Sequence, residues 1–115
     1  MVRLLRAVPL DYSLCDQTVT VYRREGLTRH VIHGAYYDFK DTELAQEQGE
    51  AAVSFLLIVP GRAQIAPGDK VMPGVGPEAF SWAALNPAEI TGLGVVKSVS
   101  PKHFGAGVCH TEVRG

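Results

Sequence analysis

The chain has 115 residues, 46% of them hydrophobic and 20% charged, and its 11 basic and 12 acidic side chains leave a formal charge of -1. That length fits one domain with a core of its own, because a chain of this size buries roughly two thirds of its unfolded surface. Near-neutral charge argues against a nucleic-acid binder driven by phosphate neutralisation. No apolar run approaches the roughly 18 residues needed to span a bilayer, so a membrane protein is not expected. The only cysteines, Cys15 and Cys109, are too few for a disulfide framework or a zinc site. With no signal peptide read ahead of them, they predict reduced thiols in a cytosolic compartment.

Twelve glycines and seven prolines lie between valine-rich runs, a pattern of short strands joined by tight turns. The expected fold is all-β, a small antiparallel barrel or sandwich with long loops and one short helical turn. Gln17 to Arg24 alternates, with Val19 and Val21 on one side and Thr18, Thr20 and Tyr22 on the other, as a half-exposed strand does. Glu25-Gly26 is a two-residue turn candidate, and Leu27 to Phe39 supplies the returning strand. That register sets Arg23 opposite Thr28, Val21 opposite His30 and Val19 opposite Ile32. Gly34 interrupts the alternation and predicts a bulge or a close backbone approach.

Charge is unevenly spread. Residues 1–34 carry five Arg and three acids, and residues 35–50 carry five acids and one Lys. The stretch Asp38 to Glu50 therefore reads as a long acidic loop or a frayed helical turn. Ala51 to Val59 is apolar at nearly every position, which predicts a strand covered on both faces. Pro60-Gly61 and Pro67-Gly68 mark turns around Ile65, and Asp69 to Met72 is a short strand.

Pro73 to Trp82 is a glycine-proline loop whose Phe80 and Trp82 either plug the end of a barrel or mark a protein interface, where aromatics are enriched. Asn86 caps a helical turn with Pro87 at its first position, Glu89 completing a capping box and Gly92 ending it. Leu93 to Val99 and Val108 to Val113 form the last hairpin, joined by residues 100–107.

Chemistry-bearing groupings are weak. His30 and His33 point to opposite faces of a strand, and Cys109 and His110 diverge likewise, so no three-ligand metal set is expected. Ser54 and Ser98 lack a nucleophile elbow. Asp38, Asp41, Glu43, Glu47 and Glu50 do not follow the ligand spacing of a calcium loop. Gly74-Val-Gly76 lacks the lysine and following helix of a phosphate cradle. The residues predict no enzyme and no cofactor.

Thr18-Val-Thr-Val-Tyr22 with Val31-Ile32, the run ending Leu57-Ile-Val-Pro60, the turn Ile65-Ala-Pro-Gly-Asp-Lys-Val71, and the tail Val95-Val-Lys-Ser-Val99 with Phe104-Gly105 and His110-Thr-Glu-Val113 follow one another in an order that resembles a known group. These are the small minor structural proteins from the morphogenesis modules of tailed bacteriophages that infect Gram-positive gut bacteria. The resemblance spans most of the chain and implies a minor capsid or head-tail connector component. It implies a barrel-like subunit assembled as a homo-oligomeric ring below the portal, in a virion put together in the host bacterial cytoplasm. Other phage structural proteins, portal, adaptor or tail components, would be its partners, and nucleic acid would meet it only as the genome passes through the ring. No catalytic residue is carried over.

Within that expectation the acids Asp38, Asp41, Glu43, Glu47 and Glu50 face a neighbour's Arg23, Arg24 and Arg29 head to tail, and Phe80 is a further contact candidate. The competing expectation is a small-barrel binding module for an oligonucleotide or peptide. It would use Tyr22 for stacking beside Arg23, Arg24 and Arg29.

Overall fold

A computed structural model describes residues 14–42, 52–87, 89–104 and 107–115. The strands are β1 (Gln17–Arg23), β2 (Thr28–Thr42), β3 (Ala52–Pro60), β4 (Lys70–Pro73), β5 (Gly94–Val95), β6 (Ser98–Phe104) and β7 (Gly107–Arg114). They form one antiparallel sheet in the order β5-β4-β1-β2-β3-β7-β6. The fold is all-β, as the glycine-punctuated alternation predicts, and the sheet curls into a half-barrel.

Two strands turn the corners. β2 runs for 15 residues, pairing with β1 up to Ala35 and with β3 from Tyr36 onward. The change comes at Gly34, whose φ of +79° suits glycine and accompanies a register shift between Val19↔Ile32 and Gln17↔Ala35. The second corner is Val96-Lys97, between β5 at one end of the strand order and β6 at the other. Val96 exchanges backbone bonds with Gly68 and Asp69, each 2.8 Å, and the Lys97 N–H donates to the Arg114 carbonyl at 2.8 Å. Strands that switch sheets at bends are the usual way to make barrel corners. The expected strand Leu93–Val99 is thus divided between two pairings. The closing hairpin is longer than expected, because β6 and β7 pair as far as Phe104↔Gly107. Pro101 lies inside β6, a position that an edge strand accepts because the missing N–H need not serve a ladder on both sides.

The main core gathers Val19, Val21, Ala35, Tyr37, Phe55, Leu57, Val59, Ile65, Val71, Val96 and Val113. Phe55 is wedged among neighbours without side chains. A β-carbon on Gly94 would lie 2.3 Å from its ring and one on Gly115 would lie 2.1 Å away. On its third side, the Tyr37 ring centroid is 5.4 Å distant. Leu56 and Ile58, on the opposite face of β3, are half-buried. The sequence predicts cover on both faces of this strand, whereas the structure buries one and leaves the other partly open.

Cover falls instead on β1. Thr20 and Tyr22, read as its exposed side, are fully buried. A second cluster of Tyr22, Leu85 and Leu93, flanked by Met72, Phe80, Trp82 and Ile90, packs on that face. The loop after β4 is fastened there by polar groups. Thr20 Oγ1 donates to the Gly74 carbonyl at 2.7 Å and accepts the Gly76 N–H at 2.8 Å. The Tyr22 hydroxyl donates to the Pro77 carbonyl at 2.8 Å. Each bond satisfies a group that would cost free energy if buried alone.

The β1–β2 register is the expected one, Arg23↔Thr28, Val21↔His30 and Val19↔Ile32. Its connection is a 3-10 turn at Glu25–Leu27 with Gly26 at φ +78° rather than a two-residue loop. A further 3-10 turn, Trp82–Ala84, stands just before the expected helical turn and is capped by Ser81. Asn86 still caps the following turn, since its Oδ1 accepts the Glu89 N–H at 3.1 Å, and Gly92 takes φ +85° beyond it.

Candidate functional site

The feature that distinguishes the surface is a two-stranded ribbon. β2 and β3 pair without interruption from Tyr36↔Ile58 to Thr42↔Ala52. β1 leaves β2 at Ala35, and the β3–β7 ladder begins only at Leu56↔Arg114. Phe55 and Gly115 exchange one further pair of backbone bonds, at 3.2 and 3.3 Å. Beyond them, Lys40–Thr42 and Ala52–Ser54 pair only with each other among the described residues. An isolated two-stranded ribbon is marginal in water, so contacts from another surface would stabilise it.

Asp38 and Lys40 belong to this ribbon, so the first part of the expected acidic loop is strand. Asp38 is half-buried at its base, in a recess of about 340 Å³ that Lys40, Ser54, Leu56 and Arg114 also line. Asp41 pairs through its backbone with Val53. Glu43, Glu47 and Glu50 lie outside the described residues.

The three arginines separate. Arg23 Nε lies 2.7 Å from Oδ2 of the buried Asp69 as an ion pair without hydrogen-bond alignment. The same carboxylate accepts the N–H groups of Arg24 and Ala66, both at 2.9 Å. Asp69 therefore ties the β1–β2 turn to the Pro67-Gly68 turn. Arg29 donates Nε and Nη2 to the Gly76 carbonyl at 3.0 and 2.7 Å. Only Arg24 among the three has an exposed side chain. Phe80 is half-buried, its ring edge-on to Tyr22 with centroids 4.7 Å apart. Trp82 carries the Lys70 ammonium 4.5 Å above its ring, and Lys70 also donates to the Trp82 and Leu85 carbonyls. Partial burial lowers the Lys70 pKa. Phe80 and Trp82 thus roof the outer face of β1 rather than plug the end of a barrel.

A second recess, about 380 Å³, opens at the seam between the first half of β2 and the chain after β3. Val21, Ile32 and Val59 form its floor, and His30 and Arg62 stand at its rim as exposed residues. No local sequence pattern announces this cleft, because it arises where β2 has left one neighbour and not yet met the next.

Comparison with protein-family models, curated proteins and solved structures finds no match. Among the described residues no group of three or more His, Cys, Asp or Glu is placed to hold a metal ion. No helix among the described residues is long and apolar enough to cross a membrane. His30 and His33 are both exposed, and their ring nitrogens meet Thr28 and Thr18.

Proposed function

We propose that this chain is a structural component of a tailed-phage virion, a head-tail connector or head-completion subunit that forms a ring in the neck. The observation that carries the reading is the ribbon of β2 and β3, which leads past both neighbouring strands toward the acidic segment ending at Glu50. An arm with unpaired edges and a surplus of one charge gives a subunit a directional contact, and a head-to-tail contact repeated with closing rotation makes a ring. The order of strands and turns that resembles phage minor structural proteins supports the same reading. In this account the arm meets an adjacent subunit or a portal, adaptor or tail protein. The genome passes through the ring without sequence-specific contact, and assembly takes place in the host cytoplasm before the protein resides in the virion.

Arg24 remains available for partner contact. Arg23 and Arg29 act in this reading through the loops they hold, and Phe80 acts through its packing on Tyr22. The oligonucleotide version of the binding-module alternative has less support, because Tyr22 is fully buried and offers no face to a base.

The test is to mix the purified protein with the portal complex from the same phage and image the product by electron microscopy. A symmetric ring on the portal is expected, lost when residues 41–51 are replaced by a short Gly-Ser linker. Equal assembly by the linker variant would remove the arm from the account.

A further inference from the structure

We propose that the cleft beside Thr28–Gly34 receives the acidic arm, Asp38 to Glu50, of a second copy of this chain, laid as an extended segment along the free edge of β2. The inference rests on the ring reading above and names the surface that the arm would meet.

The receiving side has the geometry for an added strand. From Thr28 to Gly34, β2 is paired with β1 on one side, while its ladder with β3 begins only at Tyr36. Backbone N–H and C=O groups alternate sides along an antiparallel strand, so every second residue here directs them away from β1. Along that edge lies the cleft of about 380 Å³, with Val21, Ile32 and Val59 as an apolar floor. Strand addition of this kind draws affinity from main-chain bonds and selectivity from pockets for alternate side chains.

Charge selects the occupant. Arg62 stands exposed at the rim with no carboxylate partner among the described residues, and His30 stands opposite it. The arm supplies five acids against one lysine. Leu44-Ala45 sits between Glu43 and Glu47, so an apolar side chain can meet the floor while the flanking carboxylates meet the rim.

Reach excludes the chain's own arm. From Ile32 to Thr42 the strand covers about 27 Å even if it bends at a right angle at Gly34, at roughly 3.3 Å per residue. The connection from Thr42 to Ala52 is fixed at both ends and extends at most about 18 Å from them. The occupant must therefore come from another molecule. The arm and the cleft are different surfaces, so the contact is heterologous and propagates from copy to copy.

The test is a nuclear magnetic resonance titration of the isotope-labelled full-length protein with a synthetic peptide of the sequence Asp38 to Glu50. Shift changes are expected at residues 28–34 and 61–65 and at Val21 and Val59. Arg62→Glu, at an exposed site, should weaken binding about tenfold or more, and added salt should weaken it further. No shift changes at millimolar peptide, or saturable changes elsewhere on the barrel, would overturn the inference. Portal-seated rings that form normally with Arg62→Glu, beside an unresponsive cleft, would remove the cleft and leave the ring reading standing. Peptide bound in the cleft with no ring on the portal would do the reverse.

Discussion

The hydroxyl of Tyr22, on the first strand, donates to the carbonyl of Pro77 across 2.8 Å. This bond joins β1 to the glycine-proline loop and makes the strand a central layer instead of a surface one. Tyr22→Phe keeps the packing against Phe80 and removes the donor, leaving the carbonyl to find water. A loss of about 0.5–1.5 kcal/mol in urea unfolding is expected. A loss above about 3 kcal/mol would mean that the hydroxyl does more than fasten this loop.

Phe55 and Gly94 form a second dependent pair. Phe55→Ala should cost about 3–5 kcal/mol. Gly94→Ala should cost about 1–3 kcal/mol by pressing a methyl group into the ring. In the Phe55→Ala background the added methyl meets empty space, so the two losses should fall well short of their sum in a double-mutant cycle. Simple additivity would contradict the close contact.

Asp69 holds three partners from two turns. Asp69→Ala leaves the N–H groups of Arg24 and Ala66 without an acceptor and the Arg23 guanidinium without its buried counter-ion, so a loss of roughly 3–5 kcal/mol is expected. Calorimetry should register it as a lower midpoint. A change under about 1 kcal/mol would show that water replaces the carboxylate without difficulty.

Tyr37 governs stability in alkali. Burial pushes its phenol pKa well above the ordinary value, and the hydroxyl donates to the Gly92 carbonyl at 2.6 Å. The unfolded chain releases this proton near pH 10, before the folded chain does. The stabilisation is therefore complete below pH 10 and falls as the pH rises toward the folded pKa, by up to about 1.4 kcal/mol per pH unit. Tyr37→Phe cannot ionise, so the stability gap between it and the native protein should change in the variant's favour above pH 10. A gap that stays constant there would contradict the assignment.

The β1–β2 register could be read from the sequence because alternation and a glycine turn agree on it, and Gly34 marked its own bulge. The second face of β1 could not, since Thr20 and Tyr22 look like solvent-facing residues until a loop more than fifty residues away supplies their partners. The opposite error occurred at Leu56 and Ile58, where apolar identity implied cover that the sheet does not supply. Asp38 and Lys40 looked like loop because charge outweighed pairing, yet a ribbon tolerates charged side chains on its open face. The Arg62 cleft depends on where β2 changes partners, which no local pattern encodes.

The central claim is the proposal that the protein resides in a tailed-phage virion, and quantitative mass spectrometry of purified tailed particles from a phage whose genome encodes this chain tests it most directly. The account predicts the protein in tailed virions at a copy number equal to one ring per particle. Its absence from intact, tailed particles of that phage would contradict the account.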